Sequence, residues 1–144
     1  RGQSRFSLGN WDGAIDDYTK AIAIDANDTE ALAFRCGAQI NLEKYDRAEA
    51  DCRAALKIDG GLALALNNLA WLHYKRAEHR EGLALAERAV KAAPEDANYW
   101  DTRAHLLEAL GERDLAIADY RAALKRNPKL KESIAGLKRL GEEP

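Results

Sequence analysis

The sequence predicts an all-α fold: an α-α superhelix of stacked antiparallel helix pairs, closed by a C-terminal capping helix. Three observations lead there. The 144 residues are rich in Ala, Leu, Glu, Lys and Arg and hold only three Pro, a composition that favours helix. Shifted by 34 residues against itself, the chain matches in four copies with no insertion, a period typical of stacked-repeat arrays. Helix breakers also recur at one phase of that period, in "IDAND", "IDGGL", "AAPED" and "RNPKL".

The units follow in order. Residues 1–28 form a partial first unit whose second helix lies in "LGNWDGAIDDYTKAIAID", Leu8 to Asp25. The first part of its opening helix is missing, so its apolar surface is expected to be partly uncovered. The chain starts at Arg1 and contains no Met, which reads as a fragment. Three full units span 29–62, 63–96 and 97–130, each a helical hairpin. In the last, apolar residues run at helical spacing through Trp100, Ala104 and Leu107, and Gly111 ends the helix, as a residue tolerant of positive φ does. A second helix follows over about Arg113 to Arg126 and stops before Pro128, which disfavours helix at Asn127. The columns Ala14, Ala48, Gly82, Ala116 and Ala21, Ala55, Ala89, Ala123 are small, as close helix approach requires. One hairpin cannot bury its apolar face alone, so the copies must stack. Over 131–141, Ile134, Leu137 and Leu140 share one face and Lys131, Glu132, Lys138 and Arg139 cover the rest, the pattern of a capping helix.

Trp100, Ala104, Ala116, Tyr120 and Pro128, with Ala14 and Tyr18 in the first unit, resemble the tetratricopeptide repeat pattern. The resemblance covers the whole chain. It departs at Ala26 and Gly60, where the family usually has Pro, at Gly82, and at "RAEH" (Arg76 to His79), which replaces a Gly-containing turn; these departures are expected to loosen the third unit. The resemblance implies a protein–protein interaction role, with the first helix of each unit lining a concave inner wall.

Several function classes are disfavoured. A net charge of −2 gives no global field for nucleic acid or an anionic membrane, and no apolar run approaches the roughly 20 residues of a membrane span. There is no Gly-rich phosphate loop, nucleophile elbow or metal-spaced Cys/His cluster, so neither catalysis, cofactor nor metal is expected. His73 and His105 lie on first helices of neighbouring units but lack a matched carboxylate for a metal site. Cys36 and Cys52 cannot form a multi-bridge framework. Cys36 falls in the column of Gly2, Ala70 and Ala104 and Cys52 in that of Tyr18, Ala86 and Tyr120; both read as small buried hydrophobes, with an intra-unit disulfide as the alternative.

The candidate partner-binding surface comes from helical geometry on the implied concave wall. Asn67, Trp71 and Tyr74 are spaced by four and three and share a face, with Asn68 beside it; Leu66, Leu69, Ala70 and His73 point to the core. The equivalent face of the second unit includes Phe34 and Asn41, and that of the fourth Asn98, Asp101, Thr102, His105 and Glu108. Together they describe an aromatic middle with an amide and acidic flank, suited to a protein or peptide ligand carrying Lys or Arg. Asn hydrogen-bonds a peptide backbone in both directions, and Trp and Tyr give large contact area at low entropy cost.

One familiar family function is testable on the residues. Some members hold a chaperone's C-terminal carboxylate with Lys, Arg and two Asn on successive first helices. Here those positions read Ala33, Gly37, Asn68, Asn98 and Thr102, with no base, so that clamp is not expected. The alternatives are an assembly module that self-associates end to end through the incomplete first unit, or a docking region of a larger protein. End-to-end contact draws on charge: residues 12–30 hold six acids against Lys20, and residues 125–139 six bases against Glu132. Solvated surface, with cations favoured at helix C-termini, explains the same pattern.

Overall fold

The computed structural model describes Gly2 and residues 8–144. Among them are eight helices and no strand: α1 Trp11–Ile24, α2 Thr29–Asn41, α3 Tyr45–Ile58, α4 Ala63–Lys75, α5 His79–Ala92, α6 Ala97–Ala109, α7 Arg113–Arg126 and α8 Lys131–Arg139. The expectation about the opening helix of the first unit falls on residues outside this set.

The helix starts are locally encoded. Asn10 accepts from the Gly13 amide, Asp28 from Ala31 and Asp96 from Asn98, each satisfying a donor that a helix N-terminus leaves open. The hairpin turns share one backbone path. Gly9, Glu43, Ala77 and Gly111 lie one period apart and all have positive φ, between 59° and 78°. After α2, the Glu43 and Lys44 amides return to the Ile40 and Gln39 carbonyls; after α4, those of Ala77 and Glu78 return to Tyr74 and His73. The "RAEH" segment is therefore the same left-handed turn without its glycine.

The helices pair as antiparallel hairpins α2–α3, α4–α5 and α6–α7, and α8 caps the stack against α6 and α7. First helices also touch one another, α2 to α4, α4 to α6 and α6 to α8, whereas among the described residues second helices do not touch the next second helix. The first helices therefore crowd the inner side of the array. The small columns lie at the interfaces: Ala14, Ala48, Ala116, Ala55, Ala89 and Ala123 have no exposed surface. Gly82 departs from its column for a steric reason. A Cβ there would lie 2.8 Å from Leu106 Cδ2 and 3.0 Å from the Ala70 carbonyl oxygen, so the glycine lets α5 approach closely where looser packing was expected.

One reading is corrected. Cys36 on α2 and Cys52 on α3 form a disulfide, with Cα atoms 5.6 Å apart, rather than standing as two small hydrophobes. The small columns bring α2 and α3 close enough for a bridge. It sits in a core with Ile40, Ala48, Leu69 and Leu72, against which Trp71 and Leu85 pack.

Two further ties link first and second helices. Arg35 Nε and Nη2 donate to the Asp51 carboxylate at 2.6 and 2.7 Å. Two periods later, Arg103 grips Asp119 in the same way at 2.6 and 3.0 Å. In α4–α5 the matching residues are Leu69, 1% exposed, and Leu85, half-buried.

Candidate functional site

On the inner wall, α4 and α6 enclose a shallow cleft of about 320 Å³. Asn67, Asn68 and Trp71 line it from α4, and Asn98, Asp101 and Thr102 from α6. Six of the ten expected residues therefore meet in one place. Leu64, Asp96, Tyr99 and Glu132 complete the lining and were not among those expected. Repeat register was the missed signal for two of them: Leu64, Asn98 and Glu132 occupy one position in the first turns of α4, α6 and α8.

The other four lie elsewhere. Phe34 stacks on Tyr18 with ring centroids 5.5 Å apart and 8° between planes. The two border a separate cleft between α1 and α2, near Ile24, which is 90% exposed. Asn41, at the end of α2, donates to the Gly37 carbonyl of its own helix. Tyr74 stacks on Trp71 at 4.8 Å. His105 packs edge-on against Trp71, Tyr74 and Tyr120 at 5.4, 5.8 and 5.3 Å. These rings back the wall that carries Trp71.

The face of α6 is less open than its periodicity implies. Asp101, Thr102 and His105 are each at most 9% exposed. The capping helix is the main reason at Asp101, where Ser133 of α8 donates its hydroxyl to the carboxylate at 2.6 Å. Thr102 turns its hydroxyl back to the Asn98 carbonyl, and His105 Nδ1 lies 2.8 Å from the Asp101 carbonyl oxygen. Burial disfavours the His105 imidazolium, but the Asp101 carboxylate and carbonyl outweigh it and hold the pKa above its ordinary value. Glu108 accepts from the Tyr120 hydroxyl and from Arg139 of α8, and that arginine holds its carboxyl below the usual range. On α4, the Asn68 amide donates to the Ala33 carbonyl of α2 at 2.9 Å, tying neighbouring first helices together. Trp71, half-buried, and Asn98, exposed, are the freer members, and Lys75 Nζ stands 5.3 Å from the Trp71 ring centroid.

His73, by contrast, faces Glu78 at 3.4 Å, and no group of three His, Cys, Asp or Glu placed to hold a metal occurs among the described residues. No helix there is long and apolar enough to cross a membrane. Of the six C-terminal bases, Arg126 lies over the Trp100 ring at 4.3 Å and Arg139 is paired with Glu108.

Comparison with known proteins matches this architecture. Models of the tetratricopeptide repeat match residues 1–63, 62–93 and 97–130. The chain is 33% identical over 114 residues to mouse Superkiller complex protein 3, covering 75% of this chain and 7% of that protein. Its fold is similar to a thermophilic TPR protein of Thermus thermophilus, with a TM-score of 0.81 at 20% identity over 96% of this chain and 86% of the other. It is also similar to the first TPR of Spaghetti (RPAP3) bound to HSP90 peptide SRMEEVD, with a TM-score of 0.74 at 18% identity over 81% and 93% of the two chains. With repeat matches running from the opening residues to Leu130 and the helix pairs stacked as described, the chain belongs to the tetratricopeptide repeat family.

Proposed function

We infer that this chain is a non-enzymatic protein–protein interaction module that holds a segment of a partner in the cleft between α4 and α6. The observation that carries the reading is the wall itself: an indole, Trp71, and the exposed amide of Asn98 face one depression on the inner side of the array. An aromatic anchor beside groups that hydrogen-bond a peptide backbone is the composition of an interaction hot spot. Panning a phage-displayed library of random dodecapeptides against the intact chain tests it. Enriched peptides are expected to lose binding to Trp71→Ala and Asn98→Ala. Peptides that bind both variants as well as the parent would place recognition elsewhere.

The reading excludes a carboxylate clamp. Ala33 and Gly37 are buried, the Asn68 amide is engaged by Ala33 and the Thr102 hydroxyl by Asn98, and among the described residues no Lys, Arg or His lines the cleft. The labelled peptide SRMEEVD is expected to show no saturable binding up to about 1 mM; saturation below that would reinstate a clamp.

A second reading, end-to-end assembly, draws on the α1–α2 cleft, where exposed Ile24 lies among Asp17, Asp28 and Glu30. Light scattering over a concentration series, with high salt as control, tests it. A strict monomer throughout removes that reading and leaves the first intact.

A further inference from the structure

We propose that the α4–α6 cleft selects partner segments carrying a Lys or Arg beside an apolar side chain, the cation seated between α6 and α8 and the apolar part on Trp71 and Leu64. The proposal rests on the groove reading above and adds the chemistry of the occupant.

Three features of the cleft point to that occupant. First, its walls divide by character. Leu64 and Trp71 supply apolar surface from α4, while Asp96 and Asp101 from the α6 side and Glu132 from α8 supply three carboxylates. Second, no Lys, Arg or His lines the cleft among the described residues, so Asp96 and Glu132 face it without a cation there. Among the described residues the Asp96 carboxylate is engaged by the Asn98 amide, and the Asp101 carboxylate by the Ser133 hydroxyl and, from behind the wall, by His105 Nδ1 at 3.4 Å. Glu132 is exposed. On the same wall the pKa of the Tyr99 phenol is pushed up to about 12, by burial first and then by Asp96 and Glu95. Third, this chain already seats cations on indoles. Arg103 and Arg126 lie 5.0 and 4.3 Å from the Trp100 centroid, and Lys75 lies 5.3 Å from that of Trp71. Charge of one sign beside a half-buried aromatic steers and orients a partner of the opposite sign. An acidic segment, by the same physics, is repelled.

The test uses the intact chain and the dodecapeptide library. The expected result is enrichment of Lys and Arg over their frequency in the unselected library. An enriched peptide is then synthesised with its cations kept or replaced by Gln, and titrated by fluorescence anisotropy against the parent and against Asp96→Asn/Glu132→Gln. Asn caps a helix as well as Asp does and Glu132 is exposed, so the variant keeps its fold, which circular dichroism verifies. Its affinity for the cationic peptide is expected to fall roughly 3- to 10-fold, as for two partly exposed ion pairs. The Gln peptide should bind both proteins equally and show a weaker dependence on salt. Enrichment without a cation bias, or equal binding of the cationic peptide to parent and variant, overturns the proposal alone, provided Trp71→Ala still weakens binding. No enrichment, or enriched peptides indifferent to Trp71→Ala, overturns the groove reading and this proposal with it.

Discussion

The hairpins α2–α3 and α4–α5 meet the same packing requirement with different chemistry. In α2–α3 the facing positions hold the Cys36–Cys52 disulfide and, next to it, the Arg35–Asp51 pair. One period on, α4–α5 puts Ala70 and Ala86 at the first pair and Leu69 and Leu85 at the second. It closes the remaining distance with Gly82. At these positions one hairpin is held by a covalent bond and an ion pair, the other by apolar contact. The positions, and not the residues in them, define the repeat: a slot between two helices accepts any pair that fills it and leaves no buried charge unmatched.

The largest effect on that contrast should come from the disulfide. A bridge closing a separation of 16 residues is worth about 3 kcal/mol through restriction of the unfolded chain. Reductant should lower the denaturation midpoint of the parent and leave Cys36→Ala/Cys52→Ala, which copies the α4–α5 slot, unmoved. A parent midpoint indifferent to reductant would show that packing alone holds α2–α3.

Next in size is the ion pair. Asp51→Ala strands the mostly buried Arg35 guanidinium and is expected to cost about 2–3 kcal/mol, less than for a fully buried pair because 19% of the Arg35 side chain is exposed. Arg35→Leu/Asp51→Leu, which imports the α4–α5 solution, should come within about 1 kcal/mol of the parent. Urea denaturation at unchanged slope measures both. A single variant no worse than the double would mean that the charges are solvated and the comparison is only steric.

A comparable but smaller loss is expected on the other side of the contrast. Gly82→Ala forces a methyl group against Leu106 and the Ala70 carbonyl, at about 1–3 kcal/mol for an overpacked interface. The same substitution at a site with free space would be stabilising, so a raised melting temperature would disprove the close approach.

The smallest effect is a gain. Ala77 and Glu43 hold φ near 60° where the matching turns have Gly9 and Gly111. Ala77→Gly should therefore stabilise by about 0.5–1 kcal/mol, the relief of left-handed strain less the added freedom of the unfolded chain. A loss would mean that the turn tolerates a side chain without strain.

Much of the architecture was legible before any coordinates. The 34-residue register carries the hairpins, because each helix face must meet its equivalent in the next copy. The small columns follow from helices that approach closely, and the turn phase from the breakers. The candidate site was only partly legible. Helical spacing brought Asn67, Trp71, Asn98 and Asp101 to one wall, since residues three and four apart share a face. It did not reveal that α8 lies over Asp101 through Ser133, that the Asn68 amide faces Ala33, or that Phe34 belongs to a different cleft. Periodicity reports which way a side chain leaves its own helix, not what a neighbouring helix places against it. The Arg–Asp ties were missed for another reason. Arg35 with Asp51 and Arg103 with Asp119 stand two periods apart with Leu69 and Leu85 between them, and a search for residues repeated in every copy passes over them.

The sequence by itself determined the class of fold and the family, because these depend on a period that every copy states again. Only the tertiary structure decided which inner-wall residues stay open, and whether two cysteines on facing helices of one hairpin form a bond. Those outcomes depend on distances between helices, set by the summed packing of the array and by single local residues such as Gly82 and Ser133, and no repeating pattern encodes them.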